Sequence, residues 1–221
     1  MYKIDLCHLG NNCEPGIIID KILTINKKTL FMLGMYHFNN IISYLKDGCF
    51  ENIYNKEFLS IRMNETNIVD HTKYKFAFNH DYKHDNSEIT NYDFVKNRFD
   101  EKIQNFKTML TSNTPTILIN FSSHVHGMKI SEMMQWFNEN KIASKRIVLF
   151  IFTYNDFDLS KETIENVFII KLQQTTCGWW KMEKSEQLIL YQEIYEKFIQ
   201  CCDQAFSNHD FPRTFLETGY T

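Results

Sequence analysis

Three stretches decide the fold: Thr116-Ile-Leu-Ile-Asn-Phe121, Arg146-Ile-Val-Leu-Phe-Ile-Phe152 and Val167-Phe-Ile-Ile-Lys-Leu172. Each is a short, nearly continuous apolar run rich in β-branched and aromatic residues. Such runs are strands buried on both faces, as parallel strands are. Between the first two lies Ser131–Asn140, whose pattern predicts a helix; Lys161–Asn166 predicts a short helix or turn before the third. Strands alternating with helices predict an α/β fold in three layers, a mostly parallel sheet with helices on both faces.

Working outward, Tyr2–His8 predicts a first strand. Leu9-Gly-Asn-Asn-Cys-Glu-Pro-Gly16 is turn chemistry, and Ile17–Ile25 carries apolar residues at helical spacing. Pro15 suits the first turn of that helix, where its missing N–H costs nothing. Thr29–Met35 is ambiguous. Phe38–Leu45 predicts a helix closed by Asp47-Gly48, and Phe58–Met63 and Tyr74–Phe78 predict two short strands. His80–Asn91 is polar and predicts a loop, so 46–92 forms an irregular insertion. Asp93–Leu110 has Phe94, Val95, Phe99, Ile103, Phe106 and Leu110 on one side and predicts an amphipathic helix. Glu186–Phe206 predicts a long C-terminal helix. Without repeats or low-complexity linkers, residues 1–221 read as one domain.

Composition narrows the function. With 43% hydrophobic and 23% charged residues the chain is not intrinsically disordered. A formal net charge of -3 argues against a general nucleic-acid binder. No apolar run reaches the roughly 18 residues of a membrane span, and the N-terminus lacks the pattern of a signal peptide. The six cysteines (7, 13, 49, 177, 201 and 202) form no CxxC and read as reduced, cytoplasmic thiols. Abundant Asn, Lys, Ile, Phe and Tyr fit an AT-rich genome, such as that of a parasite, an endosymbiont or a large DNA virus; the viral case implies the host cytoplasm. GxGxxG, GxxxxGK[ST] and GxSxG are all missing, which argues against the common phosphate cradles and the serine nucleophile elbow. No cofactor is expected.

Ligands of open α/β sheets bind beyond the carboxyl ends of the strands. Cys13 lies there, after a Gly-containing turn and at the start of a predicted helix, whose amides and dipole would favour a thiolate. Gly10 lets the chain turn, and amides near Asn12 would hold an oxyanion. Such a thiolate needs a base. His80, His84, His124 and His126 are the candidates, His80 being favoured by its place at the end of a predicted strand, with Asp81 beside it. Because neighbouring side chains on a strand face opposite ways, the carboxylate that orients His80 stays open. Ser122, His124, His126, Asp156 and Trp179 fall in the other loops at this edge and could line a pocket. The pairs His80/His84 and His124/His126 have metal-ligand spacing, but neither has a third ligand in sequence, so no metal is expected.

Leu9-Gly-Asn-Asn-Cys13, Phe78-Asn-His80-Asp81, Phe94-Val-Lys-Asn-Arg98-Phe99 and Thr116-Ile-Leu-Ile-Asn120 together resemble a family of unknown function described as papain-like cysteine peptidases, with its LGxxC and FxHD motifs. The likeness spans about residues 3–180. It implies Cys13 as nucleophile, His80 as base, Asp81 as the matching acid, and a peptide or small acyl compound as substrate. One departure stands out: the family carries Phe-Asp-Trp where this chain has Phe31-Met-Leu-Gly34. Two other readings remain. One is a hydrolase or transferase acting on a sugar or ester through the 122–126 loop. The other is an interaction protein of the family that has lost its chemistry. No nucleic-acid or membrane partner is expected; the oligomeric state is open.

Overall fold

The computed structural model describes residues 4–10, 30–31, 35–62, 68–78, 81–85, 88–122, 125, 127–142, 146–155, 164–173 and 181–206. It shows a mixed α/β fold in which helices flank a central sheet. That sheet has four strands in the order β1 (Asp5–His8), β7 (Thr116–Phe121), β8 (Ile147–Thr153), β9 (Val167–Lys171), every neighbouring pair parallel. The insertion contributes short antiparallel strands: β2 (Leu59–Ile61), β3 (Val69–His71) and β4 (Phe76–Phe78) form one sheet, and β5 (His84–Asp85) pairs with β6 (Glu88–Ile89). The helices are α1 (Phe38–Asp47), α2 (Tyr92–Thr111), α3 (Ile130–Asn140) and α4 (Lys184–Ala205).

The apolar runs behave as their composition requires. Every residue of β7 and β8 is buried. Their side chains alternate between two apolar clusters, as a period of two dictates. Ile117, Ile119, Phe121, Val148, Phe150 and Phe152 pack with α4 residues such as Leu190, Ile194 and Phe198. Leu118, Ile147, Leu149 and Ile151 join the larger cluster, which holds the buried sides of α1, α2 and α3. Aromatic rings fill much of that cluster, Phe106 alone meeting Phe31, Phe50, Trp136 and Phe137.

The helix ends follow local chemistry. Gly48 adopts φ +73° and its N–H donates to Leu45 O, the left-handed cap expected of Asp47-Gly48. The C-terminal helix begins at Lys184, two residues earlier than its apolar pattern suggests, because Glu183 and Glu186 form a reciprocal capping box. Between residues 46 and 92 the expected strands shorten to Leu59–Ile61 and Phe76–Phe78. Val69–His71 pairs between them, and the polar 80–91 segment contains the β5–β6 pair. The predicted helix 17–25 lies outside the described residues.

Lys141 shows how tertiary structure finishes a helix. It is buried, and its ammonium donates to Met109 O at 2.7 Å and Ser112 O at 3.1 Å, carbonyls at the end of α2. A cation there also complements the helix dipole. Burial lowers its pKa, and the nearby Asp5 charge opposes that shift only in part. Lys141→Met keeps the stem but removes these bonds, although Met109 O still accepts from Ser112 N–H at 3.3 Å and Ser112 Oγ at 3.1 Å. We expect a loss of about 1–3 kcal/mol, read as a lower urea midpoint with an unchanged m-value.

Candidate functional site

The carboxyl ends of the parallel strands are knitted together by a few polar contacts. Leu9 N donates to Ile119 O at 2.7 Å, Ser122 N to Phe152 O at 2.9 Å, and Leu172 N to Thr153 O at 2.7 Å, so the strands run on together past their ends. Asn120, fully buried, donates its side-chain N–H to Leu9 O and also contacts Gly10 O at 3.4 Å. One carboxamide on β7 thus holds the chain as it leaves β1. Its Oδ1 has no hydrogen-bond partner among the described residues.

Gly10 has φ +55°, a region that L side chains rarely adopt. A Cβ there would lie 2.2 Å from Tyr36 O and 2.7 Å from Tyr36 Cβ. Both the backbone conformation and the close approach of Tyr36 therefore favour glycine at this position. Just before it, His8 is buried with Nδ1 3.4 Å from Phe31 O. Burial lowers its pKa to about 4, only partly opposed by that contact, so its imidazole is neutral at physiological pH. The buried His8 was not singled out in the sequence.

Asp81 sits in the bend after β4, 5% exposed. Asn91 fixes its backbone, donating to Asp81 O at 2.9 Å while accepting from Lys83 N at 2.6 Å. Arg98 of α2 approaches Asp81 Oδ1 at 3.6 Å. The other oxygen, Oδ2, is buried without a hydrogen-bond partner among the described residues, as are the hydroxyls of Tyr36 and Tyr82. Tyr36 connects the two regions. Its backbone and Cβ press on Gly10, and its ring packs edge-on against Phe76 and Phe78 of β4, at 4.9 and 6.1 Å between centroids. Met35 is bridged to Ala77 of β4 by two backbone hydrogen bonds, which fixes Tyr36 in that position.

Of the residues expected at the site, Gly10 and Ser122 fall on neighbouring strand ends, and Asp81 comes three residues after β4, the strand that packs on Tyr36. Cys13, Asn12, His80, His124, His126, Asp156 and Trp179 lie outside the described residues. Among the described cysteines, Cys7, Cys201 and Cys202 are buried and Cys49 is exposed. Burial pushes the Cys201 thiol up to about 11 and Cys202 higher still, so neither favours a thiolate. No group of three or more His, Cys, Asp or Glu suited to a metal occurs among the described residues. No described helix is long and apolar enough to cross a membrane.

Asn120 and Tyr36 are the site residues that sequence reasoning passed over. Asn120 carried a signal: it is the one polar side chain between the apolar residues of a run that must be buried on both faces, and a buried amide needs a partner. Tyr36 carried none, because its neighbours 29–35 have no clear period.

Comparison of the chain with protein-family models, with curated proteins and with solved structures finds no match. The central sheet is parallel, whereas in a papain fold the nucleophile helix packs on an antiparallel sheet.

Proposed function

We propose that the chain is a cysteine-nucleophile hydrolase or acyl transferase, built as a three-layer α/β fold, with Cys13 as nucleophile and His80 as its base. The observation that carries this reading is the turn at Gly10. A left-handed glycine, a buried Asn120 from the next strand and the Tyr36 backbone together fix the direction in which the chain leaves β1 at the carboxyl edge. Such local rigidity is what a nucleophile three residues later requires. The buried Asp81 beside Arg98 supplies a fixed charge next to His80 in the chain.

In this reading His80 accepts the thiol proton. The Cys13 sulphur attacks the substrate carbonyl carbon, and nearby backbone amides hold the resulting oxyanion. Collapse breaks the bond to the leaving group, which takes the proton from the imidazolium. Water, deprotonated by the same imidazole, then cleaves the thioester and regenerates the thiol. Peptides and other small acyl compounds fit this chemistry.

An activated ester tests it. With p-nitrophenyl acetate, wild type is expected to release a burst of one p-nitrophenolate per chain and to carry one acetyl group on Cys13 by mass spectrometry. Cys13→Ser should abolish the burst, and His80→Ala should slow acylation by at least about 100-fold. Acetylation spread over Cys49 and surface lysines, with no preference for Cys13, would favour the interaction-protein reading.

A further inference from the structure

His71 is fully buried on β3, and aromatic rings surround its imidazole. Phe58, Tyr74, Phe76 and Phe78 lie 5.5, 4.8, 5.9 and 6.5 Å away between centroids, with Tyr74 stacked on it. Both ring nitrogens are engaged. Tyr74 N–H donates to Nδ1 at 3.2 Å, and Nε2 lies 2.8 Å from Asn52 O. A backbone N–H can only donate, so Nδ1 carries no proton. A carbonyl can only accept, so Nε2 carries one. These contacts fit a single state, the neutral imidazole with its proton on Nε2.

The ring joins two pieces of chain. Asn52 belongs to the short 3-10 helix Phe50–Tyr54 that follows α1, and Tyr74 to the turn at 72–75 between β3 and β4. Lys75 holds φ +55° in that turn, a left-handed backbone that a lysine adopts only at a cost. Contacts must keep such a turn closed. On one side Tyr74 OH donates to Asp47 at the end of α1, at 2.5 Å, and Lys73 donates to the same carboxylate at 3.1 Å. On the other side His71 accepts the Tyr74 N–H.

A second proton on the imidazole would go to Nδ1 and set one N–H against another. It would also bury a cation. Attraction to the stacked Tyr74 ring offsets part of that cost but does not restore the lost bond. The charged and titratable groups around the ring are Lys73 and Tyr74 of the turn, with Asp47 beyond them. The 3-10 helix, Phe58 and β4 present Asn52 and three phenylalanines, which do not titrate, and Glu51 is paired with Lys107. Burial is the main cause that lowers the His71 pKa from 6.5; the Asn52 carbonyl opposes it and Lys73 adds to it. Asp47 is held at about 2 by Tyr74, Lys73 and Asn52, so it stays ionised while His71 changes state.

We propose that His71 is a proton-operated latch. Neutral, it pins the 72–75 turn to the Phe50–Tyr54 helix. Protonated, it drops the Tyr74 N–H and lets the turn open while the parallel sheet stays folded. Above pH 6.5 the ring is neutral whether the turn is open or closed, and the latch is at full strength. Below it the open turn takes up a proton that the closed turn refuses, so opening becomes easier as pH falls. The latch works whether or not Cys13 is a nucleophile.

Nitrogen-15 NMR of the intact chain tests this, with His71→Gln as the variant that cannot take up the proton. Ring nitrogen shifts at pH 7 should place the His71 proton on Nε2. Amide exchange, corrected for the intrinsic effect of pH, should show protection at Tyr74 and Lys75 falling about ten-fold between pH 7 and pH 5. In His71→Gln the same amides should change by less than about two-fold. The amides of β7 and β8 should stay the better protected at both pH values, which marks the opening as local. A proton on Nδ1 at pH 7 would overturn the proposal. So would turn protection that ignores pH, or that falls equally in His71→Gln, or that never differs from that of β7 and β8. The tautomer and the wild-type exchange profile decide the matter even if His71→Gln fails to fold.

Discussion

Gly10→Ala is expected to be the most damaging single substitution in the described part of the chain. The left-handed backbone costs a non-glycine residue about 1–2 kcal/mol. The added methyl would also lie 2.2 Å from Tyr36 O, far inside contact distance. That oxygen belongs to backbone held by the Met35–Ala77 bridge, and Gly10 itself is held through Asn120. Neither side can yield without breaking sheet contacts, and overpacking of this kind adds about 1–3 kcal/mol or more. A total of about 2–5 kcal/mol is a large fraction of the stability of an ordinary domain. Gly127→Ala is the matched control, since Gly127 has φ +81° with nothing within 4 Å of its added Cβ. Thermal unfolding should place Gly127→Ala a little below wild type and Gly10→Ala far below it, or unfolded. Equal effects would mean that Tyr36 does not press on Gly10.

The second large effect is a loss of stability in mild acid, centred on His8. Its pKa falls from an ordinary 6.5 to about 4, with burial the main cause. Above pH 6.5 the imidazole is neutral in both the folded and the unfolded chain, and stability through this group is at its maximum. As pH falls below 6.5 the unfolded chain takes up a proton that the folded chain refuses. Stability therefore declines until about pH 4, below which both states are protonated and the decline ends. A shift of this size corresponds to about 3 kcal/mol across the window. Urea unfolding of wild type and His8→Leu at intervals from pH 7.5 to 4 isolates it. The variant will differ in absolute stability, but its profile between pH 6.5 and 4 should be flatter by about that amount. Parallel profiles would place the acid sensitivity elsewhere.

Both effects arise where β1 ends, and this is where the sequence was only half legible. The apolar runs at 116–121 and 146–152 announce buried parallel strands because no other environment tolerates them. Helix 92–111 shows itself by period, and Gly48 by its position after an apolar stripe. Val69–His71 could not be read, since three residues carry no measurable alternation; it exists because Leu59–Ile61 and Phe76–Phe78 offer it edges on both sides. His84–Asp85 and Glu88–Ile89 are shorter still, and their pairing is backed by contacts from Thr90 and Asn91. Lys141 is hidden for a different reason. A lysine after a helix predicts a solvated tip, and only the approach of the α2 terminus makes burial tolerable. Near the end of β1, the left-handed backbone at Gly10 was legible from local chemistry. Tyr36 was not, because its importance lies in what it touches across the chain.

The pH dependence of iodoacetamide alkylation at Cys13, in wild type and His80→Ala, tests the central claim most directly. The account predicts that Cys13 reacts faster than buried Cys201 and Cys202 and, at neutral pH, faster than exposed Cys49. It also predicts an apparent pKa below about 7 that rises when His80 is removed. A Cys13 that reacts no faster than Cys49, or that ignores the loss of His80, would contradict the thiolate–imidazole pair and with it the assignment of a cysteine nucleophile.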